Sequence, residues 1–191
     1  MPPTSSGQIT VEKTPNYFVH RQVPARIHRM SPKTKLLLIV RDPSVTKKRS
    51  SKPFDKMACI DQNCTVIDTS WSAIKIGLYS KHVKRWLRYF PLQQIHIVSG
   101  ERLITDPLEE IRQVERFLEL RPFVRQDHFF YNSSKGFPCI MKPNHSTYHC
   151  LGKNKGRTHL PVSEITMNRL KAFYAPFNKR FYDIVGRTFD W

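Results

Sequence analysis

The feature that most constrains the fold is a nearly continuous apolar run, KLLLIV at residues 35–40, which stops at Arg41-Asp42-Pro43. A run of this length without polar alternation is typical of a parallel strand that is buried on both faces. Residues that follow such a strand lie at the carboxyl edge of the sheet, where open α/β sheets bind their ligands. We therefore predict that Arg41 contacts an anionic ligand there. The alternative is an ion pair with Asp42 or another surface carboxylate.

Helical and strand patterns alternate after this run. Residues 72–90 carry apolar side chains at helical spacing with Lys and Arg between them, and residues 94–98 have the pattern of a second short strand. Asp106, Pro107 and Glu109 then have the spacing of a helix cap, a first-turn proline and a capping-box acid. This alternation predicts an α/β fold with a parallel sheet flanked by helices.

The remaining segments are assigned from the absence of an apolar period and from the Pro and Gly residues that interrupt or end helices. Residues 44–66 are rich in Lys and Ser without an apolar period, which predicts a loop or mobile segment. Residues 162–174 and 178–185 have the pattern of two closing helices, separated by Pro176 and ended by Gly186.

Charge limits the class of partner. The 191 residues contain 32 Lys and Arg against 15 Asp and Glu, a formal net charge of +17. Nucleic acid, an anionic membrane surface and an acidic polysaccharide all fit such an excess, because each releases counterions when it is neutralised. The cations are not arranged as a DNA-reading helix, so we do not expect a nucleic acid. No window approaches the roughly 20 apolar residues of a membrane span, and no hydrophobic signal core is present.

Cysteines and glycosylation signals bear on the compartment. The cysteines are Cys59, Cys64, Cys139 and Cys150. They lack paired CxxC spacing, so we predict no metal site. The Asn-X-Ser/Thr signals begin at Asn63, Asn132 and Asn144. These signals favour a secretory lumen, where cysteines form disulfides; in the cytosol the same thiols stay reduced. The residues alone leave both possibilities open.

A glycine-containing basic segment is a second candidate for anion binding. In Lys155-Gly156-Arg157, glycine lets the backbone approach a phosphate, and arginine can donate two parallel hydrogen bonds to its oxygens. The segment lies just after Cys150, so a disulfide from that residue to Cys139 would restrain its base.

Six blocks in the same order closely resemble the heparan sulfate glucosamine 3-O-sulfotransferases. They are EKTPNYF (12–18), KLLLIVRDP (35–43), IDTSWSAI (67–74), HIVSGERLITDP (96–107), KGFPC (135–139) and CLGKNKGRTH (150–159), and VGRTFDW closes the match. The resemblance implies a P-loop-NTPase-like sulfotransferase fold and transfer of a sulfo group from 3′-phosphoadenosine 5′-phosphosulfate (PAPS) to the 3-hydroxyl of glucosamine in heparan sulfate. It also implies a location in the Golgi lumen, in a family whose members are membrane-anchored upstream of this region.

The same resemblance implies roles for particular residues. The implied cofactor-binding residues are Arg41, Lys155, Gly156, Arg157, Thr158 and His159; Ser50 is the nearest candidate for the family serine that binds the 3′-phosphate, in a stretch where this sequence departs from the family. The implied substrate-binding residues are Lys13, Thr14, Pro15, Asn16, Trp71 and Ser72. Cys139 and Cys150 match the family disulfide, and Lys13 is a candidate for electrostatic stabilisation of the transferring group.

The sequence also departs from the family pattern. The family's phosphosulfate loop and the glutamate that serves as catalytic base have no counterpart here, so no catalytic residue is assigned. We therefore expect a leader at residues 1–10 and a partial sulfotransferase domain at residues 11–191, lacking the first strand and the phosphosulfate loop. Such a chain should transfer little sulfate by itself. The alternative function is a noncatalytic protein that binds heparin or heparan sulfate.

Overall fold

A computed structural model of the chain describes residue 5 and residues 7–45, 54–142, 147–151 and 162–191. The α-helices are α1 (Val23–Met30), α2 (Phe54–Ala58), α3 (Ser72–Ile76), α4 (Tyr79–Trp86), α5 (Arg102–Thr105), α6 (Pro107–Leu118) and α7 (Glu164–Val185). The strands are β1 (Leu36–Val40), β2 (Ile95–Ser99), β3 (Phe129–Asn132), β4 (Phe137–Met141) and β5 (Tyr148–His149). The predicted α/β class and both parallel strands are confirmed.

Strands β1 and β2 pair in parallel, with Leu36 opposite Ile95 and Val40 opposite Ser99. Alternate β1 residues pack into the core, but Leu37 and Ile39 on the other face are 43% and 62% exposed. The prediction that β1 is buried on both faces was therefore wrong. Helix α6 reaches β2, where the Phe117 ring stacks on His96, and leaves the same face of β1 uncovered.

Two apolar clusters hold α7 against the rest of the molecule. The first centres on Val40, Tyr79, Val83, Trp86, Phe90, Ile95, Ile97 and Phe181. The second centres on Ala58, Cys59, Cys64, Ile74, Leu78, Leu170 and Tyr174. Because α7 contributes to both, it joins the parallel sheet and α4 to the segment that contains α2 and α3.

The predicted helix over residues 72–90 is two helices, α3 and α4, interrupted at Gly77 and Leu78. A Cβ atom at Gly77 would lie 2.7 Å from the Pro43 Cβ and 2.8 Å from the Tyr174 ring. The interruption thus occurs where the backbone packs directly against the segment after β1 and against α7. Tertiary packing overrides the continuous apolar pattern here.

Helix α7 corrects the prediction of two closing helices, because it runs through Pro176 without a break. Proline removes a backbone donor inside the helix, but the buried residues Tyr174, Asn178 and Phe181 lie on both sides of it. Because residues on both sides of Pro176 are buried, packing favours one continuous helix. The predicted end is confirmed, since Gly186 adopts a left-handed conformation with φ of 67°.

The start of α6 is confirmed: the Asp106 side chain accepts a hydrogen bond from the Glu109 N–H, and Pro107 occupies the first turn.

The prediction of a loop over residues 44–66 is partly wrong, because this range contains α2. The antiparallel sheet of β3, β4 and β5 had no counterpart in the sequence prediction.

Candidate functional site

The loops that follow β1 and β2 are joined at the carboxyl edge of the parallel sheet. The Gly100 N–H donates to the Val40 carbonyl at 2.8 Å, and the Asp42 N–H donates to Glu101 Oε1 at 2.9 Å. Gly100 allows this approach, because a Cβ there would lie 2.4 Å from the Arg41 Cγ. The residues after the two strands therefore form one surface.

Arg41 lies on this surface as the sequence predicted. Its Nε is 3.6 Å from Glu101 Oε1, and its side chain remains 53% exposed. The Asp42 carboxylate instead accepts hydrogen bonds from the Ser44 N–H and hydroxyl at 2.8 and 2.7 Å. The surface carboxylate that Arg41 approaches is thus Glu101, at a distance that leaves the guanidinium accessible to an anion.

Tyr79 connects this edge to the segment at residues 12–20. Its hydroxyl donates to the Arg41 carbonyl at 2.9 Å, and its ring centroid is 6.2 Å from that of Phe18. The Phe18 carbonyl accepts from the Trp86 indole N–H at 3.0 Å, and the Val19 carbonyl accepts from Arg85 at 2.8 Å. Helix α4 therefore anchors the predicted substrate segment.

Within that segment, Lys13, Pro15 and Asn16 are exposed and Thr14 is half-buried. The Thr14 hydroxyl donates to Glu12 Oε1 at 2.5 Å, and its carbonyl accepts from the Tyr17 N–H at 3.3 Å. A turn thus presents three of the four predicted substrate residues to solvent.

Trp71 and Ser72 stand at the start of α3. The half-buried Trp71 ring packs edge-on against Phe54 at 5.4 Å and against the second apolar cluster. Ser72 is exposed in the first turn. Trp71 therefore has a structural role beside any contact with substrate, and α3 reaches the carboxyl edge of the sheet through the contact between Gly77 and Pro43.

Other predicted site residues lie outside the described part of the chain. They are Ser50, Lys155, Gly156, Arg157, Thr158, His159 and the glycosylation candidate Asn144. The predicted binding of the cofactor by Arg157 and its neighbours together with Arg41 therefore stays a prediction.

Two disulfides occur among the described residues. Cys139, in β4, bonds to Cys150 with a Cα–Cα distance of 4.6 Å, the pair implied by the resemblance. Cys59 bonds to Cys64 with a Cα–Cα distance of 4.9 Å. The sequence alone had not decided whether these two cysteines pair.

The two described glycosylation candidates differ in their surroundings. Asn63 is exposed. Asn132 is half-buried, and its Oδ1 accepts from the Ser134 hydroxyl and the Lys135 N–H at 2.7 and 3.1 Å. Asn63 is therefore the more accessible acceptor.

Sequence reasoning missed a buried ionic cluster below the carboxyl edge. Glu110 is fully buried and pairs with Arg187, while its Oε2 accepts from the Ser99 N–H at 3.0 Å. Arg187 also donates to the Ile97 carbonyl at 2.9 Å. Glu110 lies in the helical pattern of α6, so the sequence offered no signal that this acid is buried.

A cavity of about 220 Å³ adjoins this cluster. It is lined by Ser99, Glu101, Arg102, Arg187, Thr188, Phe189, Asp190 and Trp191. Burial is the main cause that raises the pKa of the nearby Tyr182 to about 12, and the charges of Asp42, Asp190 and Glu101 raise it further. Acidic and basic side chains both line this cavity.

Within the described ranges, no three His, Cys, Asp or Glu side chains are grouped so that they could hold a metal ion. In the same ranges, no helix combines the length and apolar character that crossing a membrane requires.

Comparison with protein families identifies a sulfotransferase domain at residues 15–181. Heparan sulfate glucosamine 3-O-sulfotransferase 3B1 of Mus musculus is 48% identical over 202 residues, covering 100% of this chain and 52% of the relative. The human enzyme 3A1 is also 48% identical, with 50% of its length covered, and mouse enzyme 6 is 46% identical, with 59% covered. The chain spans about half the length of these relatives. The resemblance predicted from the sequence blocks is confirmed.

A solved sulfotransferase from Alicyclobacillus acidocaldarius shares the fold. Its TM-score is 0.62 at 19% sequence identity, and the match covers 91% of this chain and 63% of the bacterial chain. At this identity the likeness concerns the fold alone.

Proposed function

Because the chain belongs to the sulfotransferase domain family, we propose that it forms part of a heparan sulfate glucosamine 3-O-sulfotransferase. The reaction transfers a sulfo group from PAPS to the 3-hydroxyl of glucosamine. The names of relatives that are 41–48% identical over the whole chain support this substrate, and the sulfotransferase domain supports PAPS as the donor. Two disulfides, together with the exposed Asn63 as a glycosylation site, fit the oxidising Golgi lumen.

The observation that carries the proposal is the position of Arg41. Its half-exposed guanidinium follows a parallel strand at the sheet edge where ligands bind, and it can donate paired hydrogen bonds to phosphate oxygens. We assign Arg41, with Ser50 and residues 155–159, to the 3′-phosphate side of PAPS. The cofactor supplies the activated sulfo group.

Lys13 to Asn16, with Trp71 and Ser72, are assigned to the sugar. When bound, PAPS would supply the sulfo group: the 3-hydroxyl oxygen would bond to sulfur as the bond from sulfur to the phosphate oxygen breaks, and the hydroxyl proton would pass to a base. Lys13 offers a positive charge to the sulfo oxygens as negative charge develops on them. Asp42 and Glu101 already accept backbone hydrogen bonds, and we assign neither as the base.

Calorimetric titration with PAP, the desulfated product, tests the cofactor assignment. We expect binding by the unmodified chain and at least about a tenfold weaker affinity in Arg41→Ala, since a charged hydrogen-bond donor to phosphate is lost. Arg125→Ala is the matched control, because Arg125 is exposed and pairs with Asp127. Equal affinities in the two variants would contradict the role of Arg41.

A transfer assay addresses the chemistry. Incubation with PAPS and N-sulfated heparan sulfate should give little 3-O-sulfation by these 191 residues alone, and substantial product would show that expectation wrong. Retained heparin binding without PAP binding would favour the noncatalytic alternative.

A further inference from the structure

Asp and Glu residues are distributed unevenly along the chain. Residues 13–41 and 69–100 contain no Asp or Glu at all. These stretches include α1, β1, α3, α4 and β2, whereas the acids of the ion pairs between described residues all follow β2 in the chain; they are Glu101, Asp106, Glu109, Glu110, Glu119, Asp127 and Asp183. The excess positive charge is therefore local rather than evenly spread.

Helix α1 contacts the residues just after α4 within the acid-free part. The His28 ring packs edge-on against Phe90 at 5.4 Å and lies 6.0 Å from Tyr89, just beyond α4. Ile27 packs against the first apolar cluster, to which Val83 and Trp86 belong. The apolar sides of both helices thus face the core, and their polar sides face solvent together with the turn at residues 20–22.

We define the basic surface as Arg21, Arg26, Lys81, Lys84, Arg85 and Arg88. All of these except the partly buried Arg85 are exposed. Among the described residues, no carboxylate lies within ion-pair distance of any member. Like charges at such spacing repel one another, so the arrangement costs free energy when no anion is bound.

Arg85 shows that the charges act on one another. Burial is the main cause that lowers the pKa of its guanidinium, and the charges of Arg21 and Arg88 lower it further. Its Nη1 is held by the Val19 carbonyl at 2.8 Å. An open depression of about 460 Å³, lined by Val19, His20, Arg21 and Gln22, adjoins it. The basic surface therefore places several cations beside this open depression.

The basic surface adjoins the chain segment that carries Lys13 to Asn16, because Arg85 and Trp86 donate hydrogen bonds to the Val19 and Phe18 carbonyls of that segment. Helix α4 begins at Tyr79, beside Phe18 and the Arg41 carbonyl, and its charged side continues to Arg88. At 1.5 Å per residue, the helix rise from Tyr79 to Trp86, the last residue of α4, amounts to about 10.5 Å, and Arg88 follows two residues later. A long anionic chain held at Lys13 can thus extend along α4.

We propose that the basic surface is a second binding site for sulfated polysaccharide, outside the reaction centre, which holds the acceptor chain beyond the glucosamine that receives sulfate. This inference rests on the proposed function for its ligand. Sulfate esters along a flexible sugar chain can pair with cations that follow a helix face, and the site needs no base-reading contacts.

The test compares two triple variants of equal charge. Arg21→Gln/Lys84→Gln/Arg88→Gln removes three exposed members of the surface. The control, Arg116→Gln/Arg125→Gln/Lys179→Gln, removes three exposed cations that each pair with a carboxylate elsewhere. Both lower the formal net charge of +17 by the same amount. Affinity is measured for a long and a short heparin oligosaccharide and for PAP.

We expect the surface variant to bind the long oligosaccharide at least about tenfold more weakly than the control does, with a shallower salt dependence. PAP affinity should be unchanged, and the short oligosaccharide should be affected much less. Equal losses in both triple variants would overturn the proposal, because net charge alone would then explain binding. A larger loss for duplex DNA of matched charge than for heparin would also overturn it. Failure of PAP binding in the unmodified chain would count against the proposed function instead.

Discussion

At the scale of single residues, charge has two different roles in this protein. Arg41, Lys13 and Arg21 are exposed or half-exposed and available to a ligand. The buried Glu110 instead pairs with the partly buried Arg187 and links α6, the end of β2 and the segment after α7. Removal of a partner from such a pair is costly, because the remaining charge is largely shielded from water and loses its compensation.

Glu110→Ala should therefore lower the free energy of unfolding by about 3–5 kcal/mol. Arg187 would lose its carboxylate partner and the Ser99 N–H its acceptor. Urea denaturation measures the change, with Glu109→Ala on the exposed side of α6 as control. The double variant Glu110→Leu/Arg187→Met should recover much of the loss. A loss below about 1 kcal/mol in Glu110→Ala would contradict the buried pair.

The lowered pKa of His82 predicts how the free energy of unfolding depends on pH. Burial is the main cause that lowers its pKa, against its hydrogen bond to the Lys75 carbonyl, and the charges of Arg85 and Lys81 lower it further. The unfolded chain, with a histidine pKa of about 6.5, therefore binds this proton more readily than the folded chain. His82 supports full stability above that pH, and stability falls as the pH drops towards the folded pKa.

Denaturation at several pH values between about 7.5 and 5 checks this sign. The His82→Gln variant should show a shallower loss on acidification, by at most about 1.4 kcal/mol per pH unit for one proton. An equally steep loss would show that other groups are responsible. His96, whose pKa is also lowered mainly by burial, provides the comparison variant His96→Gln.

At the scale of elements, packing decides where helices begin and end. α3 and α4 separate at Gly77, where Pro43 and Tyr174 occupy the space that a side chain would need. α7 continues through Pro176 because its buried residues contact both apolar clusters. In both places the local pattern favoured the opposite outcome.

Pro176→Ala tests the continuity of α7. Pro176 is exposed, so its replacement removes no core contact and restores a backbone donor inside the helix. We expect the free energy of unfolding to rise by about 1–3 kcal/mol. Ala175→Gly, at the exposed neighbouring position, should lower it by about 1 kcal/mol. Destabilisation by Pro176→Ala would indicate a break at this position.

At the scale of the whole molecule, the net charge is +17 and long stretches lack acids. Positive charges therefore repel one another in the folded state and destabilise it. A bound polyanion removes that repulsion and favours the folded form by mass action. The same interaction should weaken as salt shortens the range of electrostatic forces.

Thermal unfolding with and without heparin measures this coupling. We expect heparin to raise the melting temperature at low ionic strength and to lose most of that effect near about 1 M salt, where the Debye length is about 3 Å. Chondroitin without sulfate, a less charged polysaccharide, is the control. A shift that persists at high salt would point to apolar contacts instead.

The sequence by itself determined the elements whose information is local. The apolar run before Arg41 predicted β1, the spacing of Asp106, Pro107 and Glu109 predicted the start of α6, and six ordered blocks indicated the family. Each depends on neighbours in the chain, which a linear pattern records directly. The placement of Arg41 at the carboxyl edge followed from the same reasoning.

Only the tertiary structure decided which surfaces meet. It left Leu37 and Ile39 exposed, buried Glu110 against Arg187, and divided the helix at Gly77. It also brought Arg21 close enough to Arg85 and Arg88 for their charges to lower the pKa of Arg85. These features depend on contacts between residues far apart in the chain, and such contacts leave no periodic signal in the sequence.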